Sequence, residues 1–298
     1  MSLLDAPIGC VPIVWNNADL YDLAPQTAAD TVMDELARIG FAGTQYGRGF
    51  PEGDDLRAAL ERRSLRLAEL YSAVGSGPDG LAPDAANLAH RDMARLIAAG
   101  GDVLVVALDG GGDRDAWSAR VANGAPRWPD AAFDELATLL GKLAERAPDK
   151  VKVAFHPHTA TWVEAPDEVE RLAERLEGTG AGLCLDVGHY LVGGGDPVEA
   201  IGRYGSLIRH VHIKDVDPDV LERLRDQNIE GFEAAVRERI FTEAGNGALD
   251  LAGVIAALDR IGFSDWMMVE QDSSWLPPSE ASAISNRVLR YALRSVAT

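Results

Sequence analysis

His210-Val211-His212-Ile213-Lys214-Asp215 closes an apolar run that begins at Ile208. Side chains alternate between the two faces of a strand, so His210, His212 and Lys214 share one face. Three polar groups on one side of a buried strand are expensive unless they line a polar site. Three other apolar runs end in the same way: Val153-Ala154-Phe155-His156-Pro157-His158, Leu183-Cys184-Leu185-Asp186-Val187-Gly188-His189 and Met267-Met268-Val269-Glu270-Gln271-Asp272. Parallel strands whose C-terminal ends meet at one face bring such groups together, which is how a barrel enzyme assembles a metal site.

Working outward, strand-like and helix-like segments alternate along the whole chain. Strands are predicted over residues 8–15, 44–48, 65–74, 103–108, 151–156, 182–186, 208–214 and 266–271. Helices are predicted over 25–39, 54–63, 83–99, 129–146, 166–176, 197–204 and 279–296, with two further helical segments, 218–238 and 249–261, inserted between strands seven and eight. Eight β/α units in a chain of this length predict a (β/α)8 TIM barrel with a helical insert. A doubly wound sheet is the alternative, but the turn after the first strand, Trp15-Asn16-Asn17-Ala18-Asp19, lacks the glycine fingerprint of such folds. Gly110-Gly111-Gly112 lacks the Lys and Ser/Thr of a phosphate-binding loop and reads as a flexible connection.

The 298 residues, 47% hydrophobic and 25% charged, suit one globular domain over 1–298. A formal net charge of -19 argues against nucleic acid and anionic membrane surfaces as partners. Cys10 and Cys184 lie in apolar runs and read as buried free thiols. The start of the chain has no basic segment followed by an apolar stretch, and no run approaches about eighteen apolar residues. A cytoplasmic protein without a transmembrane helix is expected.

His156, Asp186, His212 and Glu270 form a mixed imidazole and carboxylate set suited to Mn²⁺, Co²⁺, Fe²⁺ or Zn²⁺. Without thiolates, it is not a structural zinc cage, and it leaves room for water or substrate oxygens. Each residue also has an ordinary reading. A lone strand histidine can be a hydrogen-bonded core residue, Asp186 a turn former, Glu270 the partner of an arginine, and Lys214-Asp215 a solvated strand end.

The order His-x-His (156–158), Leu-Asp-Val-Gly-His (185–189), His-Val-His-Ile-Lys-Asp (210–215) and Val-Glu (269–270) resembles the xylose-isomerase-like superfamily of sugar isomerases, epimerases and dehydratases. Within it, the chain is most similar to the inosose dehydratases of inositol catabolism, from Ile8-Gly9-Cys10 through Gly245-Asn246-Gly247 to Asp272. The resemblance assigns a divalent metal (Mn, Co or Zn) to His156, Asp186, His212 and Glu270. It implies that His189 and His158 contact substrate hydroxyls or shuttle protons, and that Lys214 holds a substrate oxygen. It also puts Trp15 and Trp162 at the pocket wall, with packing as their alternative. The loops depart from the family pattern: His156-Pro157-His158-Thr159-Ala160-Thr161 stands where the dehydratases read His-His-His-x-Gly-Thr.

The implied reaction is proton abstraction beside the ketone of a small polyol or ketose, with Glu270 or His158 as the base and the metal as Lewis acid. Loss of a β-hydroxyl then gives a hydro-lyase. Return of the proton elsewhere gives an epimerase or isomerase. A DNA nuclease would want a basic rim, which the charge opposes. A non-catalytic sugar-binding barrel needs the ligands without a working base. Relatives of this kind often form homo-oligomers, and the 218–238 insert suits either a lid or an interface.

Overall fold

The computed structural model describes residues 3–296. Eight parallel strands close into a barrel: β1 (Ile8–Cys10), β2 (Gly43–Gln45), β3 (Arg66–Val74), β4 (Val103–Leu108), β5 (Lys152–Phe155), β6 (Gly182–Asp186), β7 (Ile208–Ile213) and β8 (Met267–Val269). Each strand pairs with its sequence neighbours, and β8 returns to β1, which closes the ring. The predicted (β/α)8 architecture is the one observed.

Strand composition explains the layering. All six residues of β4 are buried, because the strand has core on both sides. Leu104, Val106 and Leu108 pack outward with α3 (Ala85–Ala98) and its neighbours, whereas Val103 and Val105 join Ala154, Cys184 and Met268 inside the ring. The interior is therefore apolar at its base. Towards the C-terminal ends of the strands the inward positions turn polar, at His156, Asp186, His212 and Glu270. Register delivers them side by side: Asp186 pairs with His212, and His212 with Met268, two residues before Glu270.

Several predicted elements are shorter than expected. β1 stops at Cys10, and Pro12–Val14 forms a 3-10 turn, because Pro12 has no N–H for a ladder. Helix α1 (Ala29–Ile39) starts late. The Asn16 amide holds both backbone groups of Thr27, at 2.9 and 2.7 Å, and keeps that segment out of a helix. The predicted 218–238 helix is two helices, α8 (Pro218–Arg225) and α9 (Gly231–Arg237). Left-handed Gln227 and Gly231 (φ 60° and 80°) break it. A short antiparallel pair, Asp215–Val216 with Phe241–Thr242, roots this insert on the barrel rim.

α8 and α9 bury their own apolar cluster (Val220, Leu221, Leu224, Val236, Phe241) against Leu20 of the loop after β1. The Arg237 guanidinium grips Asp22 with two hydrogen bonds, at 2.9 and 3.0 Å, and the Phe232 N–H donates to Asp115. The insert thus covers the C-terminal mouth of the barrel. Among the described residues no helix is long and apolar enough to cross a membrane. Both cysteines are buried and unpaired, as expected.

Candidate active site

Each donor is placed by the residue types around it. Asp186 ends β6 and caps the short helix α6 (Val187–Val192): its Oδ1 accepts from the His189 N–H at 2.8 Å, leaving Oδ2 to face inward. The turn-former and ligand readings of Asp186 are thus carried by its two different oxygens. Gly188 follows because a Cβ there would lie 2.8 Å from Lys214. His156, Asp186, His212 and Glu270 offer donor atoms that all lie within 4.8 Å of one another. Asp186 Oδ2 is 3.5 Å from His156 Nε2 and 3.7 Å from His212 Nδ1, and Glu270 Oε2 is 2.5 Å from His212 Nδ1.

Whether these residues suit a cation is answered by their unmet bonding. His156 Nε2, Asp186 Oδ2, His212 Nδ1 and Glu270 Oε2 are all buried with no hydrogen-bond partner. Buried polar atoms are normally satisfied, and four unsatisfied donors converging on one point fit a divalent cation. Cys184 also lies beside His156 and His212. Burial pushes its thiol up to about 12, so it stays protonated and is a poor ligand.

Lys214 and His189 stand behind this set rather than on the cavity wall. The buried Lys214 ammonium donates to Asp272 (2.8 Å), Glu270 (3.0 Å) and His189 Nε2 (3.0 Å). Burial alone would lower its pKa, but Asp272, Glu270 and Asp186 outweigh that and keep it charged. Having no acceptor capacity, Lys214 forces His189 to accept at Nε2. His189 Nδ1 meets Thr159, its hydroxyl at 2.9 Å and its backbone N–H at 3.3 Å. Both nitrogens of His189 are thereby engaged. Asp215 is not a solvated strand end: it is fully buried and accepts the N–H groups of Gly245, Gly247 and Leu249.

His158 does reach the cavity. Its Nδ1 faces the Thr159 carbonyl at 2.7 Å, so Nδ1 carries the hydrogen and Nε2 holds a free lone pair. Burial, with His156 and Lys214 nearby, pulls it down to about 3, so it is neutral. The two tryptophans are packing residues in this structure. Trp15 is buried beside α1 and donates to Glu35 at 2.6 Å. Trp162 stacks on Trp128 (centroids 6.2 Å apart, planes within 5°). Neither lines the cavity.

Three residues without a role in the sequence reading belong to the site. Asp272 lines the cavity, and burial raises its pKa against the pull of Lys214. Tyr71 lines the opposite wall, its ring edge-on to His156. Glu69, fully buried, lies under His212 and accepts from its Nε2 at 2.9 Å. Burial would raise Glu69, but His212 and His210 outweigh it and hold the carboxyl at about 2. The signal was available: Glu69 and Tyr71 share a face of a largely buried strand.

The cavity above the donors measures about 430 Å³, within the range of small-ligand sites. Its wall comes from the loop after β1 (Asn17, Asp19), from Gln45 and Tyr71, from Asp109 to Gly112, and from Phe232, Glu233 and Val236 of the insert. Glu164 stitches two of these loops together. Its carboxylate accepts the N–H groups of Ala119 and Ala160, each at 2.7 Å, and both alanines are left-handed (φ 61° and 66°).

The profile of the xylose isomerase-like TIM barrel family matches residues 33–292. The chain belongs to that family. Among curated proteins, the inosose dehydratase of Clostridium beijerinckii is 30% identical over 95% of this chain and 96% of its own length. Two solved structures of this fold superpose well. An L-ribulose 3-epimerase has a TM-score of 0.72 at 16% identity, covering 98% of this chain and 96% of its own. The IOLI protein, solved with a binding zinc atom, has a TM-score of 0.70 at 16% identity, covering 97% and 99%. As a xylose isomerase-like barrel, the chain carries its donor set on four consecutive strand ends, β5 to β8.

Proposed function

We propose that this barrel is a metal-dependent inosose dehydratase, a lyase that removes water from 2-keto-myo-inositol. The observation that carries the reading is the cluster of four unsatisfied donors, two of which, His156 and Glu270, line a cavity with no lysine or arginine in its wall among the described residues. Such a wall offers Asp, Asn and Gln to hydroxyl groups but no partner to a phosphate, which favours an unphosphorylated polyol. End-to-end similarity to an inosose dehydratase, and the zinc held by a protein of the same fold, support the same reading.

His156, Asp186, His212 and Glu270 would hold the cation. When bound, a divalent ion there supplies Lewis-acid polarisation of the substrate carbonyl. The chain's own residues handle the protons. His158 Nε2, with its lone pair free because Thr159 occupies Nδ1, receives the proton from the carbon beside the ketone. Asp272 faces the cavity with Oδ1 fixed by Lys214 and delivers a proton to the departing β-hydroxyl, so that one C–H and one C–O bond break and water leaves. α9 and Phe232 exclude bulk water from above. His189 and Lys214 keep Asp272 and Glu270 oriented.

The test is chelation and rescue. EDTA-treated protein is assayed on 2-keto-myo-inositol for dione absorbance, then refilled with Mn²⁺, Co²⁺ or Zn²⁺. Metal-dependent dione formation is expected. Stoichiometric metal uptake with solvent deuterium entering the substrate but no dione would refute dehydration and move the chain to epimerase or isomerase chemistry.

A further inference from the structure

Below the donor set lies a second polar layer that no hydroxyl of a substrate can reach. Glu69 projects from β3 and His210 and His212 from β7, strands on opposite sides of the ring, four steps apart in either direction. The Glu69 carboxylate crosses the barrel interior to place Oε2 2.9 Å from His212 Nε2 and in contact with His210 Nε2. The neighbouring inward positions are filled by Val103, Val105, Cys184 and Met268, so an apolar residue would serve packing at position 69. A fully buried carboxylate there needs another reason.

Hydrogen-bond chemistry supplies one. Carboxylate oxygens accept hydrogen bonds, so the His212 nitrogen 2.9 Å from Glu69 Oε2 is the one that carries hydrogen. An imidazole that ligates a cation keeps a single N–H, here on Nε2, which leaves Nδ1 for the ion, and Nδ1 is the nitrogen turned to Asp186 and Glu270. We propose that Glu69 is a positioning residue that fixes His212 with hydrogen on Nε2 and thereby presents Nδ1 to the divalent cation, with His210 holding Glu69 in place. The inference rests on the cation reading of the donor set. Glu69, His210 and His212 are also close enough to be ligands themselves. The 2.9 Å between Glu69 Oε2 and His212 Nε2 is a hydrogen-bond spacing, which favours the positioning role.

The test uses the full chain with Mn²⁺ titrated by calorimetry and with Zn²⁺ for ¹⁵N-histidine NMR. Glu69→Gln keeps an acceptor for Nε2–H but removes the charge, and loss of such a partner weakens metal affinity about 10–100-fold. Glu69→Leu, which also frees the tautomer, is expected to lose at least as much. In the Zn²⁺-loaded wild type, His212 is expected to show hydrogen on Nε2 and the ion on Nδ1, a readout that survives even if both variants fail to fold. Coordination through Nε2, affinities of both variants within twofold of wild type, or two ions per chain would each overturn the proposal while the cation site stands. A wild type that takes up no divalent ion gives a different signature and overturns both.

Discussion

Replacing Lys214 by Met keeps the length and shape of the side chain but removes the one ammonium that touches Glu270, Asp272 and Asp186, at 3.0, 2.8 and 3.6 Å. Both sides of these pairs are buried, with the Lys214 side chain 1% exposed and its partners at most 10%. Breaking a buried pair from one side costs about 3–5 kcal/mol, because the abandoned charge remains. At about 2 °C of Tm per kcal/mol for a chain of this size, the metal-free variant melts about 6–10 °C below wild type. A cation on Asp186 and Glu270 then meets less positive charge, so it binds the variant more tightly. Saturating ion at about 100 times Kd adds about 2.7 kcal/mol to any protein that binds it. The metal-induced rise in Tm is therefore expected to be larger in Lys214→Met than in wild type. Scanning calorimetry in EDTA and in Mn²⁺ measures both quantities. A metal-free Tm within 2 °C of wild type and an unchanged metal-induced rise, about zero differences on this scale, would refute the role given to Lys214.

Glu164 is raised to about 7 by burial, so relative to an unfolded carboxyl it contributes stability below about pH 4.5 that is lost as pH climbs through 7. The Tm advantage of wild type over Glu164→Gln should therefore shrink between pH 5 and pH 8, about the window of that titration. A widening gap would mean that the two backbone N–H donors outweigh burial. Arg114→Met takes from the wholly buried Glu168 its buried partner at 2.8 Å, leaving the partly exposed Arg127 at 2.9 Å as its remaining cation. A loss of about 3 kcal/mol is expected as a lower urea midpoint at constant m-value. Trp15→Phe should cost about 1 kcal/mol through the lost bond to Glu35 and leave KM unchanged, because Trp15 does not touch the cavity.

The barrel and its polar rim were legible because both depend on short-range pattern. Alternating strand and helix signals set the topology, and the polar endings of β5 to β8 marked the face where they converge. What stayed hidden depends on contacts across the chain. Asn16 holding Thr27 shortens α1, and Gly231 kinks the insert because its α-carbon lies against Asp115, where a Cβ would sit 2.1 Å from Oδ2. Nothing local gives Glu69 its role, since its partners lie across the ring and more than one hundred residues away. His189 and Lys214 share the site's residue types, and only the packing behind Asp272 shows that they face their neighbours rather than the cavity.

The donor set comes wholly from β5 to β8, whereas much of the cavity wall comes from the connections after β1 to β4. The donors are thus encoded in the second half of the gene, and a large share of the cavity wall in the first. Under the proposed function, recombination or directed mutagenesis confined to the first half would change which ring the wall accepts while the second half keeps the four donors. A shuffled library built at the junction near residue 150 would sample new ligands over constant donors, provided that it leaves Glu69, against His212, and Tyr71, against His156, in place.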